Sequence, residues 1–93
     1  VKNYRNSMQI CESILQAAQD KGRDGIKVTT LMNKANLPHP RLTGFINKMM
    51  GSELINKIET DGKHTFIITE KGILYLAQYK KFSSIAESFG FEL

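Results

Sequence analysis

Residues 37 to 50, Leu-Pro-His-Pro-Arg-Leu-Thr-Gly-Phe-Ile-Asn-Lys-Met-Met, constrain the fold more than any other stretch of this chain. At about 100° per residue, Leu42, Phe45, Ile46 and Met49 fall on one side of a helix. Pro40, Arg41, Thr43, Gly44, Asn47 and Lys48 fall on the other. Proline suits a first helical turn, where the missing N–H had no partner anyway, so Pro38 and Pro40 mark the start. Gly51 stands where a left-handed residue usually closes a helix. A helix so sharply divided packs one side on a core and leaves the other at the surface.

The chain before it fits such a helix. Residues about 4 to 21 have the periodicity of a first helix, with Tyr4, Met8, Cys11, Leu15 and Ala18 in one arc and Ile10, Ile14 and Ala17 widening it. Gly22 and Gly25 end it in a turn. Ile26-Lys27-Val28 alternates and reads as a small strand, after which Thr29 or Thr30 caps a second short helix, Leu31 to Ala35. Asn36-Leu37-Pro38 makes the tight turn into the divided helix. Helix, short turn and helix form a helix-turn-helix.

Beyond Gly51 the period changes. Residues 54–60 and 64–69 are β-rich runs flanking Asp61-Gly62-Lys63. Asp-Gly supplies the positive φ angles that tight hairpin turns need. A hairpin directly after a helix-turn-helix is the order of a winged helix. Residues 70 to 89 form a last helix with two apolar arcs. Ile73, Leu74, Leu76 and Ala77 are assigned to the head, and Tyr75, Tyr79, Phe82, Ala86 and Phe89 to a free seam with coiled-coil spacing. We read the seam, with Ile85 beside it, as a homodimer interface. A helix that folds back and buries the stripe in its own core is the alternative. The expected architecture is α+β, mostly α. It is one domain over residues 1–93, with a head at about 4–69 and a C-terminal dimerisation helix at about 70–89.

Ninety-three residues suffice for one modest core. No apolar run approaches the roughly 20 residues of a membrane span, and the first residues lack the apolar centre of a signal peptide. The expectation is a cytoplasmic, nucleoid-associated chain with no membrane partner. The single cysteine has no internal partner and reads as a small core residue. With two histidines and one cysteine, structural zinc is not expected. Neither common phosphate-binding glycine loop is present, and no nucleophile sits in a strained glycine-flanked turn. Catalysis and cofactors are therefore not expected. Met32, Met49 and Met50 read as gap-filling core.

The net charge of +4 leans toward an anionic partner, and its placement matters more than its size. Between Ile26 and Gly51 there is no acid, only Lys27, Lys34, Arg41 and Lys48. Phosphate neutralisation supplies most affinity for duplex DNA and base-edge contacts supply discrimination. In a helix-turn-helix the second helix enters the major groove, N-terminal residues first. The candidate DNA-contacting residues are therefore His39, Pro40, Arg41, Thr43, Gly44, Asn47 and Lys48. Arg41 suits guanine, Asn47 adenine and Lys48 a phosphate. Lys63 and His64 at the hairpin tip, with Lys57 beneath, are candidates for backbone contact; an ordinary soluble hairpin is the competing reading.

These pieces resemble the small archaeal winged-helix proteins, which include predicted transcriptional regulators and chromatin-associated dimers built from a winged head and a C-terminal antiparallel helix pair. The resemblance rests on Tyr4-Arg5, Ile10 to Leu15, Thr29-Thr30-Leu31-Met32, Ala35-Asn36-Leu37, Leu54-Ile55 and Thr69-Glu70-Lys71-Gly72. Pro38 departs from the small polar cap usual in that group, and the last helix is shorter than in its chromatin-associated members. The resemblance implies a homodimer that binds double-stranded DNA in transcription or chromosome organisation. A winged-helix module that docks on other proteins is the rival reading.

Overall fold

The computed structural model describes residues 6–91. Tyr4, placed by the sequence on the first helix's apolar arc, lies outside them, as does Arg5. Helix α1 (Ser7–Lys21) starts later than its periodicity suggested because Asn6 and Gln9 form a capping box. The Gln9 N–H donates to Asn6 Oδ1 at 2.8 Å, and the Asn6 N–H donates to Gln9 Oε1 at 3.0 Å. That reciprocal pair satisfies two amides that would otherwise face solvent without a fixed partner.

After a turn at Gly22–Asp24, strand β1 (Ile26–Lys27) leads directly into helix α2 (Val28–Ala35). Neither Thr29 nor Thr30 caps it; both lie inside the helix, and its N-cap is Lys27. The cause is long-range. Ile26 pairs with Phe66 and Lys27 with Thr65 across the sheet, which holds Lys27 extended and lets the helix begin one residue on. Asn36 ends α2 in the left-handed region, φ 56°.

Helix α3 (His39–Gly51) has the expected inner side: Leu42, Ile46 and Met49 are buried, and Phe45 packs partly buried on the same core. Gly51 is not its left-handed terminator but its last helical residue. The reversal falls on Glu53, φ 64°. The Ser52, Glu53 and Leu54 amides donate to the carbonyls of Lys48, Met50 and Met49, so the helix end is satisfied by backbone alone and Leu54 is carried inward.

Strands β2 (Ile55–Thr60) and β3 (Lys63–Ile68) pair antiparallel, and β1 adds to the other edge of β3. The connecting turn is the two residues Asp61 and Gly62, with φ 53° and 78°, the primed geometry that matches strand twist. Lys63 thus belongs to the strand. The core gathers Ile10, Ile14 and Leu15 of α1 with Leu31, Leu42, Ile55, Phe66 and Leu76.

Helix α4 (Glu70–Ser88) is fixed by its first turn. Thr69 Oγ1 accepts from the Gly72 N–H at 2.9 Å. Its hydroxyl points at the Glu53 and Leu54 carbonyls, 2.6 and 3.0 Å away, and its own amide donates to the Leu54 carbonyl at 3.1 Å. Gly72 lies so close to β2 that an added Cβ would fall 2.2 Å from the Leu54 oxygen and 2.7 Å from Ile68 Cγ1. This contact sets the rotation of α4, and the result differs from the sequence reading. Gly72, Leu76 and Tyr79 turn inward. Ile73, Leu74 and Ala77, assigned to the head, are exposed.

The junction predicts that Gly72→Ala lowers the free energy of unfolding by about 1–3 kcal/mol, the usual cost of overpacking, and that Thr69→Val lowers it by about 1 kcal/mol through removal of the cap. In contrast, Gly44→Ala meets nothing within 4 Å and gains about 0.5–1 kcal/mol from helix propensity. Urea denaturation of the three variants checks the order; a neutral Gly72→Ala would remove the junction from the fold's determinants.

Candidate nucleic-acid interface

The outward side of α3 stands clear of the fold. His39, Pro40, Arg41, Gly44, Asn47 and Lys48 are all exposed, and Thr43 is half-buried. Pro40, Arg41, Gly44, Phe45 and Lys48 line a shallow depression of about 250 Å³. Among the described residues the ion pairs are His64–Glu59 at 3.6 Å and Lys71–Glu53 at 3.7 Å, so neither Arg41 nor Lys48 is neutralised by a carboxylate. No acid lies in the first turn of α3, and its N-cap, Pro38, offers no side-chain hydrogen bond. Positive helix-end charge therefore adds to the side-chain cations. Thr43 is more committed than the sequence suggested. Its hydroxyl donates to the His39 carbonyl at 2.9 Å, which leaves its methyl and lone pairs for any outside contact.

The wing residues do not form one cluster. Register pairs Ile55 with Ile68, Lys57 with Phe66 and Glu59 with His64, and alternation places these pairs on the sheet face that carries buried Ile55 and Phe66. Lys57 and His64 therefore extend the core-side face outward. Lys63 lies on the opposite face with Thr65 and Ile67. His64 shares its edge of the hairpin with Glu59, so its positive charge, when protonated, is partly offset.

On α4 the residues named for a seam divide. Tyr79 is buried in its own head, at 5 % exposure, and Tyr75 and Ala86 are half-buried. Phe82, Ile85 and Phe89 are exposed at 55, 49 and 74 %. The free line is Leu74, Phe82, Ile85 and Phe89, apolar except where Gln78 interrupts it, and it lies roughly one residue around the helix from the line read in the sequence. Leu74 was assigned to the head because two adjacent arcs of α4 are both apolar, and Gln78 was missed because it is polar. The useful signal was Gly72, the one position on the inner arc without a side chain. Burial pushes the Tyr79 phenol above its ordinary range, with the Glu12 carboxylate on α1 adding to it, as expected where α1 and α4 pack.

The scaffold behind α3 is also close. Burial raises the Cys11 thiol from its ordinary value, and the Lys48 ammonium pulls it partly back. Lys48 thus projects its charge over α1 as well as outward. Cys11 packs partly buried against the core, as do Met32 and Met50.

A family model for the winged helix-turn-helix matches residues 4–87. The chain belongs to the winged helix-turn-helix family. No curated protein matches the sequence. Among solved structures, this winged-helix chain is similar to Sso10a-2, a DNA-binding protein from Sulfolobus solfataricus. The TM-score is 0.77 at 20 % identity, over 91 % of this chain and 85 % of that one. It is similar to a MepR mutant from S. aureus bound to an oligodeoxyribonucleotide, with TM-score 0.72 and 12 % identity, over 90 % of this chain and 64 % of that one. It is also similar to the transcriptional regulator BldR from Sulfolobus solfataricus, with TM-score 0.73 and 18 % identity, over 88 % of this chain and 60 % of that one. These likenesses establish the shared fold. Among the described residues no helix is long and apolar enough to cross a membrane.

A raised thiol predicts slow alkylation of Cys11 by iodoacetamide near neutral pH, since the thiolate is the nucleophile. Lys48→Ala removes the positive charge that favours that thiolate, so the midpoint of the rate-against-pH curve moves to higher pH. A midpoint shifted downward would place Lys48 elsewhere.

Proposed function

We propose that this protein binds double-stranded DNA as a homodimer and acts in transcription regulation or chromosome organisation, in the cytoplasm on the nucleoid. One observation carries the reading: the outward side of α3 is exposed, free of acid and cationic, and its Arg41 and Lys48 make no ion pair among the described residues. A solvated helix face with no binding role needs no such exclusion of carboxylates. The family and the DNA-bound MepR relative support the same direction.

In this mechanism α3 enters the major groove with its N-terminal turns leading. Arg41 reaches guanine with two hydrogen bonds and Asn47 serves adenine in the same way. Lys48 and His39 contact phosphates, the exposed Gly44 allows close approach to the groove, and Pro40 and the Thr43 methyl give apolar contacts. The wing contributes in two directions, Lys57 and His64 from one face and Lys63 from the other. With one or two base-reading side chains, the specificity ratio is low. A dimer through the C-terminal helix presents two copies of α3. If these are spaced by about 34 Å or a multiple, both enter major grooves on one side of the duplex.

Replacing both Arg41 and Lys48 by alanine weakens binding to a duplex and flattens the plot of log affinity against log salt, by about 0.9 for each phosphate that is no longer neutralised. Titration at three salt concentrations measures it. An unchanged slope removes α3 from the interface, and a wild-type protein indifferent to DNA at low salt favours a protein-docking module instead.

A further inference from the structure

Gly44 stands inside α3, and nothing in the fold asks for a glycine there. Gly25 and Gly72 are bare because neighbouring atoms fill the space that a side chain needs. At Gly44 an added Cβ meets nothing within 4 Å, and the backbone is ordinary helix. A glycine in a helix interior is less stable than alanine, so the fold alone favours alanine at this position. The space that the missing side chain leaves lies outside the molecule.

That space has a place and a lining. At about 100° per residue, Gly44 lies about 160° from both Leu42 and Ile46, whose side chains are buried. It is therefore at the crown of the outward side, where α3 reaches furthest into a groove. Pro40, Arg41, Phe45 and Lys48 surround it and line the depression of about 250 Å³. Phe45, assigned by its period to the core, thus has two roles. It packs partly buried on the core, and it forms one wall of this notch. Backbone amides and carbonyls in the middle of a helix bond to one another. Apart from the charged ends of Arg41 and Lys48, the notch offers apolar surface and no hydrogen-bonding group.

Base edges in the major groove display amino groups, carbonyl oxygens and ring nitrogens, and one apolar group, the thymine 5-methyl. A polar edge pressed into an apolar notch loses its water and gains no partner, which is costly. A methyl group loses nothing and buries its surface. Arg41, on the rim, suits guanine in the adjoining pair.

We infer that the Gly44 notch selects a thymine 5-methyl beside the guanine held by Arg41. Gly44 supplies the depth, and Pro40 and Phe45 supply the apolar contact. This rests on the DNA reading of α3 above and names the base feature that its crown recognises.

The test removes one methyl and nothing else. Two duplexes of alternating thymine-guanine sequence, one with thymine and one with uracil in its place, offer the step in every register and carry the same phosphates. Wild-type protein, titrated at two salt concentrations by fluorescence anisotropy, binds the thymine duplex about fourfold more tightly, the factor that burying one carbon group carries. The salt dependence is the same for both duplexes, because the phosphate contacts are unchanged. Gly44→Ala fills the notch, keeps the helix folded, which thermal melting verifies, and binds the two duplexes equally. Equal, salt-dependent binding of both duplexes by the wild type overturns the notch and leaves the DNA reading standing. A Gly44→Ala variant that keeps the fourfold preference does the same. A wild type that binds neither duplex overturns both.

Discussion

The structure turns on the carbonyl end of Leu54. Its oxygen accepts the Thr69 amide and lies within reach of the Thr69 hydroxyl, and the backbone of α4 approaches it so closely that only glycine fits at position 72. The Leu54 amide is held in turn by Met49 at the end of α3. One residue therefore ties the end of α3, the base of the wing and the start of α4 together. Sharing buried backbone groups in this way satisfies donors and acceptors that would otherwise cost free energy in the interior. It also explains the run Thr69-Glu70-Lys71-Gly72 physically: a hydroxyl to bridge two segments, and a bare Cα to let a helix touch a strand.

Much of the architecture was legible in the chain, and the reasons are specific. The two sides of α3 could be read because a 3.6-residue period, two prolines and an acid-free run all agree over 14 positions, 37–50. Asp61-Gly62 announced the hairpin because few residue pairs tolerate two positive φ angles in succession. What failed was set at long range. Lys27 became the cap of α2 because Thr65, far along the chain, holds β1 extended. The rotation of α4 was misjudged because hydrophobicity cannot rank two apolar arcs, whereas the steric demand at Gly72 can.

The surface chemistry shows the same contrast. Which residues of α3 reach solvent followed from the period alone. What they do there did not: the Thr43 hydroxyl is turned back to its own helix. The three basic wing residues were grouped by proximity in sequence, yet strand alternation separates Lys63 from Lys57 and His64. A two-residue turn fixes that register, so the split was implicit in the hairpin once its turn length was known.

Leu54 also lines the groove of about 450 Å³ beside α4, so its side chain borders a surface hollow while its amide and carbonyl brace the end of α3 and the start of α4. A change of side chain at that hollow therefore reaches the end of α3 and the start of α4 through one shared residue. Linkage would impose an equality on any two ligands that met there: whatever factor one seated in the hollow added to the affinity of another on α3, the second would add to the first.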